Sequence, residues 1–249
     1  MIEFPPSPIS TQLNLGDVSG FVVEYDTTTD VLISAGKIEA NGKVYELSSD
    51  DTHAMTGLIA TQDFHYIYID DSASTAPVAV FIDSTTEPAY SFAKQGWYNG
   101  NDRCIGVVVS EIGSAIVAPF FAALEGEKVV KYSVDRLTFA SMAENFVPTG
   151  SWQVPTNDGD VVTPVNAVQL YVHGRSDDIG SFCEVSAVNK EMGDLHAGKD
   201  GAYVYTEAYD RASITSWLPL GSTRKMYIAA QGDDDNALTF QSLGWAISR

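Results

Sequence analysis

From Gly20 onward the chain is written in short apolar segments of strand length, each closed by turn residues, and no window of about twelve residues carries a competing helical stripe. That rhythm confines the fold to stacked sheets. Residues 20–25 and 31–38 flank the polar run Asp26-Thr27-Thr28-Thr29-Asp30. Asn41-Gly42, between Ile38 and Val44-Tyr45, predicts a two-residue hairpin, because a type I′ turn needs positive φ at both central positions. Residues 64–70 and 78–83 are apolar on both faces and end at Asp-Ser turns, which predicts two central strands. Residues 104–109 add another, and residues 128–134 alternate only partly, as an edge or connecting strand would. In the second half, residues 165–172, 180–185, 202–205, 225–229, 237–240 and 244–249 continue the pattern. The best helical candidate is 137–145, where Leu137, Ala140 and Met142 share a face.

The fold class expected is therefore all-β: an N-terminal extended arm followed by two antiparallel β-sandwich or jelly-roll-like domains. The divisions fall at 1–20 for the arm, 21–132 for the first domain and 133–249 for the second, since Leu124-Glu125-Gly126-Glu127-Lys128 is a polar break and Val147-Pro148-Thr149-Gly150 is turn chemistry. Pro5, Pro6 and Pro8 remove backbone donors and hold the start of the arm extended, so it needs a partner to be ordered; Phe4 and Ile9 are its anchors if it docks on another chain, and a floppy terminus is the alternative.

Charge narrows the partners. With 14 basic and 33 acidic residues the chain carries a net −19, which argues against nucleic acid, where phosphate must be neutralised by clustered Lys and Arg. No apolar run approaches the ~18 residues of a membrane span. The N-terminus lacks the basic and apolar regions of a secretory signal, so synthesis in the cytoplasm is expected. Cys104 and Cys183 each sit in an apolar strand-like run and read as buried reduced thiols.

Motifs for chemistry are sparse. Gly193 to Lys199 has phosphate-loop spacing, but Asp200 stands where a hydroxyl residue should ligate magnesium, and a strand follows where a helix is required. Asp233-Asp234-Asp235-Asn236 lacks the Gly and Glu of an EF-hand; it and Asn157-Asp158-Gly159-Asp160 read as acidic turns, with a calcium site of another kind as the alternative. His53, His65, His173 and His196 share no zinc spacing, and His65, inside an apolar strand, reads as a hydrogen-bonded core or interface imidazole. No nucleophile elbow is present. The expectation is no catalysis, no cofactor and no metal. In the second half, Trp152, Tyr203, Tyr205 and Trp217 are the candidates for glycan contact or a subunit interface, Tyr203 and Tyr205 sharing a strand face at i and i+2.

A longer pattern joins these pieces. The run Val31 to Lys37, then Asn41-Gly42-Lys43-Val44-Tyr45-Glu46-Leu47, His65-Tyr66-Ile67-Tyr68-Ile69, Phe81-Ile82-Asp83-Ser84-Thr85-Thr86-Glu87-Pro88, Gly96-Trp97-Tyr98-Asn99-Gly100-Asn101-Asp102-Arg103-Cys104-Ile105-Gly106-Val107 and Phe120-Phe121 resembles a β-rich module of tailed-bacteriophage tail-fibre and related virion appendage proteins. The resemblance covers residues 20–132, with an echo in Leu218-Pro219-Leu220, Arg224 to Ile228 and Gly244-Trp245. It departs where the family often has two arginines, since Asp102 precedes Arg103; Arg103 is expected to bridge loop carbonyls or a carboxylate. The resemblance implies a non-enzymatic virion component, a tail fibre or similar appendage, self-associating as a homotrimer. Its first domain would attach to other virion proteins and its second would face the host, a surface glycan included. A capsid decoration protein or head fibre is an alternative within that class, and a glycan-binding or glycan-cleaving module is one from another class. A secreted adhesin is disfavoured by the missing signal.

Overall fold

The computed structural model describes residues 16–61, 63–111, 113–125, 128–137, 163–176, 183–189, 202–206, 213–220, 226–232 and 238–248, and every named element among them is a β-strand. In chain order these are β1 (Val18–Ser19), β2 (Val23–Tyr25), β3 (Asp30–Ile33), β4 (Gly36–Ala40), β5 (Lys43–Leu47), β6 (Asp51–Ala54), β7 (Phe64–Ile69), β8 (Phe81–Ser84), β9 (Ala89–Ser91), β10 (Gly96–Asn99) and β11 (Asp102–Val109). The second half adds β12 (Phe120–Glu125), β13 (Lys128–Leu137), β14 (Ala167–Ser176), β15 (Cys183–Asn189), β16 (Ala202–Thr206), β17 (Ser213–Pro219), β18 (Met226–Gly232) and β19 (Leu238–Ser248). They form antiparallel sheets of order β1-β4-β5, β2-β3-β6, β8-β7-β11-β10-β9, β12-β13-β19-β14-β17 and β16-β15-β18. The expected all-β class with antiparallel sheets is what the chain adopts.

The sheet around β7 and β11 is buried on both faces, and the period of two in β7 explains how. Phe64, Tyr66 and Tyr68 enter one core with Cys104, Val107, Val129, Leu170, Trp245 and Ile247, while Ile67 and Ile69 enter a second with Phe21, Val23, Val31, Ile33, Ile38 and Tyr45. A bulge between Cys104 and Gly106 in β11 resets the register against β7. The first core joins the two halves of the chain: Tyr66 hydroxyl accepts from the Val165 amide at 3.1 Å, and the Trp97 indole donates to Ser248 Oγ at 2.9 Å. β13 runs across position 132, where the first of the two domains was expected to end.

Local rules set most turns. Asn41 and Gly42, with φ of 53° and 75°, make the two-residue turn of the β4–β5 hairpin. Asp70 Oδ1 accepts the amides of Ser72 and Ala73, closing the turn after β7.

Other expectations are corrected. Residues 78–83 were expected to be a central strand; β8 begins only at Phe81 and lies at the sheet edge, leaving Val78 and Val80 exposed, because residues 71–79 are taken up by a loop in which Ser74 Oγ accepts the Val80 amide. Residues 128–134 were expected as an edge or connecting strand; the edge alternative falls, because β13 pairs with β12 and β19 on its two sides. Residues 237–240 and 244–249 fall largely within one strand, β19, and β17 was not anticipated. His65 is buried, but neither ring nitrogen has a hydrogen-bond partner among the described residues; burial pushes its pKa down, only partly countered by Asp63 and Asp83. Of the helical candidate, Leu137 ends β13 and the rest lies outside the described residues. Cys104 is buried as a thiol.

Candidate assembly surface

The described chain begins at Gly16, and that residue is held by two buried charges. Glu39, on β4 and 4% exposed, accepts the Gly16 amide at 2.7 Å through one oxygen and the Gly42 amide at 2.6 Å through the other. Arg103, at the start of β11 and fully buried, donates from Nη2 to the Gly16 carbonyl at 3.4 Å and from Nη1 to the Gln95 carbonyl at 3.1 Å. The guanidinium also lies 5.2 Å from the Tyr98 ring centre. The sequence reading that Arg103 bridges loop carbonyls holds here. Charge-assisted bonds of this kind are roughly twice as strong as neutral ones, so Gly16 is tied to the body through both its amide and its carbonyl.

Two backbone positions make room for this grip. A Cβ on Gly96 would stand 1.6 Å from Arg103 Nη1, so no other residue fits there without displacing the guanidinium. Gln95, in the turn between β9 and β10, has φ of 51° and sends its side-chain amide back to the Phe92 carbonyl at 2.6 Å. Asp102, where the resembled pattern often has arginine, accepts the Asp71 amide at 2.9 Å and ties the turn after β7 to β11. Lys43 and Asn41 reach the Asp71 carboxylate at 3.0 and 3.3 Å, and the Lys43 hydrogen bond is the main cause holding it below the usual carboxylate range.

Beside that turn stands an aromatic ledge. Tyr90 on edge strand β9 pairs across to Trp97 on β10, ring centres 5.5 Å apart, and meets Phe92 edge-on at 5.1 Å. Tyr90 is 38% exposed and Phe92 82%, whereas Trp97 is partly buried and anchored by its bond to Ser248. Phe92 directly follows β9, the edge strand of its sheet among the described residues, so its ring stands in solvent beside an open edge. The sequence search missed this group because it weighed aromatics only in the second half; the signal was Tyr90 and Trp97 flanking a short loop.

A second feature that sequence reasoning missed lies on the other side of the central sheet. The Asp83 side chain has no exposed surface and accepts from the Thr56 amide at 2.9 Å, the Thr56 hydroxyl at 3.1 Å and the Gly57 amide at 2.7 Å, with His53 Nε2 3.3 Å away. Burial pushes its pKa up, but His53 and these donors outweigh burial and hold the carboxyl well below the usual range. The group fastens the loop after β6 to β8.

The candidates read from sequence are scattered. Phe4, Pro5, Pro6, Ile9 and Trp152 lie outside the described residues, as do Asp233 to Asn236, Asn157 to Asp160 and the Gly193 to Lys199 loop. Tyr203 and Tyr205 sit on β16, at the edge of its sheet, opposite Ser186 and Glu184 on β15. Trp217 on β17 is partly buried and stacks on its cross-strand neighbour Tyr171, ring centres 4.8 Å apart and 24° from parallel. Among the described residues no cluster of three or more His, Cys, Asp or Glu is arranged to hold a metal ion, and no helix is long and apolar enough to cross a membrane.

No family model matches the chain, and no curated protein matches it. Among solved structures, one described as the structure of infectious bursal disease virus Gt strain aligns over 97% of this chain and 74% of its own, at 10% identity and a TM-score of 0.18, values at which the likeness says nothing about what this chain does.

Proposed function

We propose that the chain is a non-enzymatic structural component of a bacteriophage virion, a tail fibre or similar appendage, that assembles with copies of itself through its N-terminal segment. The observation that carries this reading is the grip of buried Glu39 and Arg103 on Gly16. Burying two charges costs several kcal/mol each before pairing, and here both hold Gly16, the residue that follows the N-terminal segment 1–15. That is the construction expected of an arm that bears load between subunits. The layered sheet body and the sequence resemblance over residues 20–132 support the same reading, and the proposed number of three copies comes from that resemblance. A net charge of −19 keeps unassembled subunits apart in solution.

The test is mass spectrometry and immunogold labelling of purified particles from the source culture. The chain is expected in the particle at a copy number divisible by three and in a projecting structure, on tail or head. Its absence from intact particles overturns the proposal.

A further inference from the structure

The ledge of Tyr90, Phe92 and Trp97 lies near Gly16, the first described residue, and it is the place from which an occupant can be argued. Gln95 links the two: its carbonyl is 2.3 Å from where a Cβ on Gly16 would sit, and its side chain bonds to the Phe92 carbonyl. We propose that the ledge is the docking site for the segment Phe4-Pro5-Pro6-Ser7-Pro8 of a second copy of this chain. This rests on the self-assembly reading above and names the surface that it uses.

Three observations carry it. The first is chemical. A Pro-x-x-Pro run, here Pro5 to Pro8, is held near the polyproline II conformation by its own rings, and such runs dock between aromatic side chains that offer flat apolar faces at little entropic cost. Tyr90 and Phe92 present those faces exposed, and their edge-on packing with a Trp97 pinned to Ser248 leaves the ledge pre-organised.

The second is reach. Pro8 is eight positions from Gly16, which spans up to about 26 Å when extended. The chain's own ledge is beside Gly16, so docking on it would require a reversal within residues 9–15. That extended span is enough to reach the ledge of a neighbouring copy.

The third is charge. Residues 1–15 contain a single acidic residue, Glu3, in a chain with 33, so this segment approaches another acidic body with little repulsion.

The test replaces Phe92 in the full-length chain with the photocrosslinker p-benzoylphenylalanine; at 82% exposure the site tolerates the change. Irradiation is expected to give a covalent product of twice the chain mass or more on a denaturing gel, with mass spectrometry placing the adduct within residues 4–8. Replacing Pro5, Pro6 and Pro8 together with Gly is expected to abolish that product. Adducts to residues 4–8 only at single-chain mass, adducts only to other segments, or no adduct overturn the proposal. Light scattering on the unirradiated sample separates the two readings: a multimer without the adduct overturns docking alone, and a monomer overturns docking and self-assembly together.

Discussion

Glu39 and Arg103, of opposite charge and both buried, are not in direct contact; they meet through Gly16, whose amide donates to the carboxylate and whose carbonyl accepts from the guanidinium. The glycine is the relay between them. Removing either charge leaves Gly16 held from one side only and the remaining charge without its opposite nearby. Glu39→Gln is expected to lower stability by about 1–3 kcal/mol and Arg103→Met by about 3 kcal/mol, read as urea midpoints at pH 7. Both variants should also become more sensitive to protease near residues 15–20. An unchanged midpoint for Arg103→Met would remove the guanidinium from the account of what holds this corner.

Gly96→Ala places a methyl where Arg103 Nη1 stands. The expected cost is about 3 kcal/mol, from overpacking together with displacement of the buried cation. In an Arg103→Ala background the same change should cost less than about 1 kcal/mol, because the clash is gone. Thermal or urea unfolding of the four proteins in this cycle measures the coupling, and additive effects would refute it.

Acid stability divides into two windows. The folded pKa of Asp83 is depressed, so the stability it contributes is present above the unfolded value near 4 and is lost as pH falls below it. The pKa of His65 is also lowered, so the unfolded chain takes up a proton that the folded chain refuses, and stability falls as pH drops below about 6.5. Urea midpoints between pH 3 and 8 should show both declines. His65→Leu is expected to flatten the upper one and Asp83→Asn the lower one, at the cost of the Asp83 hydrogen bonds at every pH.

Trp217 and Tyr171 should behave as a stacked pair. A double-mutant cycle to Ala is expected to give a coupling of about 0.5–1.5 kcal/mol. A glycan array with the Trp217→Ala variant then checks the role that sequence offered for Trp217: retained binding, or none in either protein, leaves it structural.

Much of this was legible in the residues, for physical reasons that also mark the limit. Asn41-Gly42 announces its turn because few other pairs tolerate positive φ twice, and residues 64–70 announce a two-faced strand because both sets of alternate side chains are large. Arg103 could be given its role because a guanidinium among apolar strands needs several acceptors at once. Asp83 and His53 could not be joined from sequence: they are thirty positions apart and meet only through the pairing of β3 with β6 and of β7 with β8. Val78 and Val80 misled for the opposite reason, since an apolar run reads alike whether a sheet covers it or a loop leaves it in water.

The core packed on one face of the central sheet is built from both halves of the chain, and this limits how the gene can be cut. A fragment ending near residue 132 would lose Leu170, Trp245 and Ile247 and present Phe64, Tyr66, Tyr68 and Val107 to water as one oily wall. Such a piece should precipitate when expressed alone and be rescued by supplying residues 133–249 in the same cell. Recombination would face the same restriction: a new second half must arrive already shaped to cover that wall.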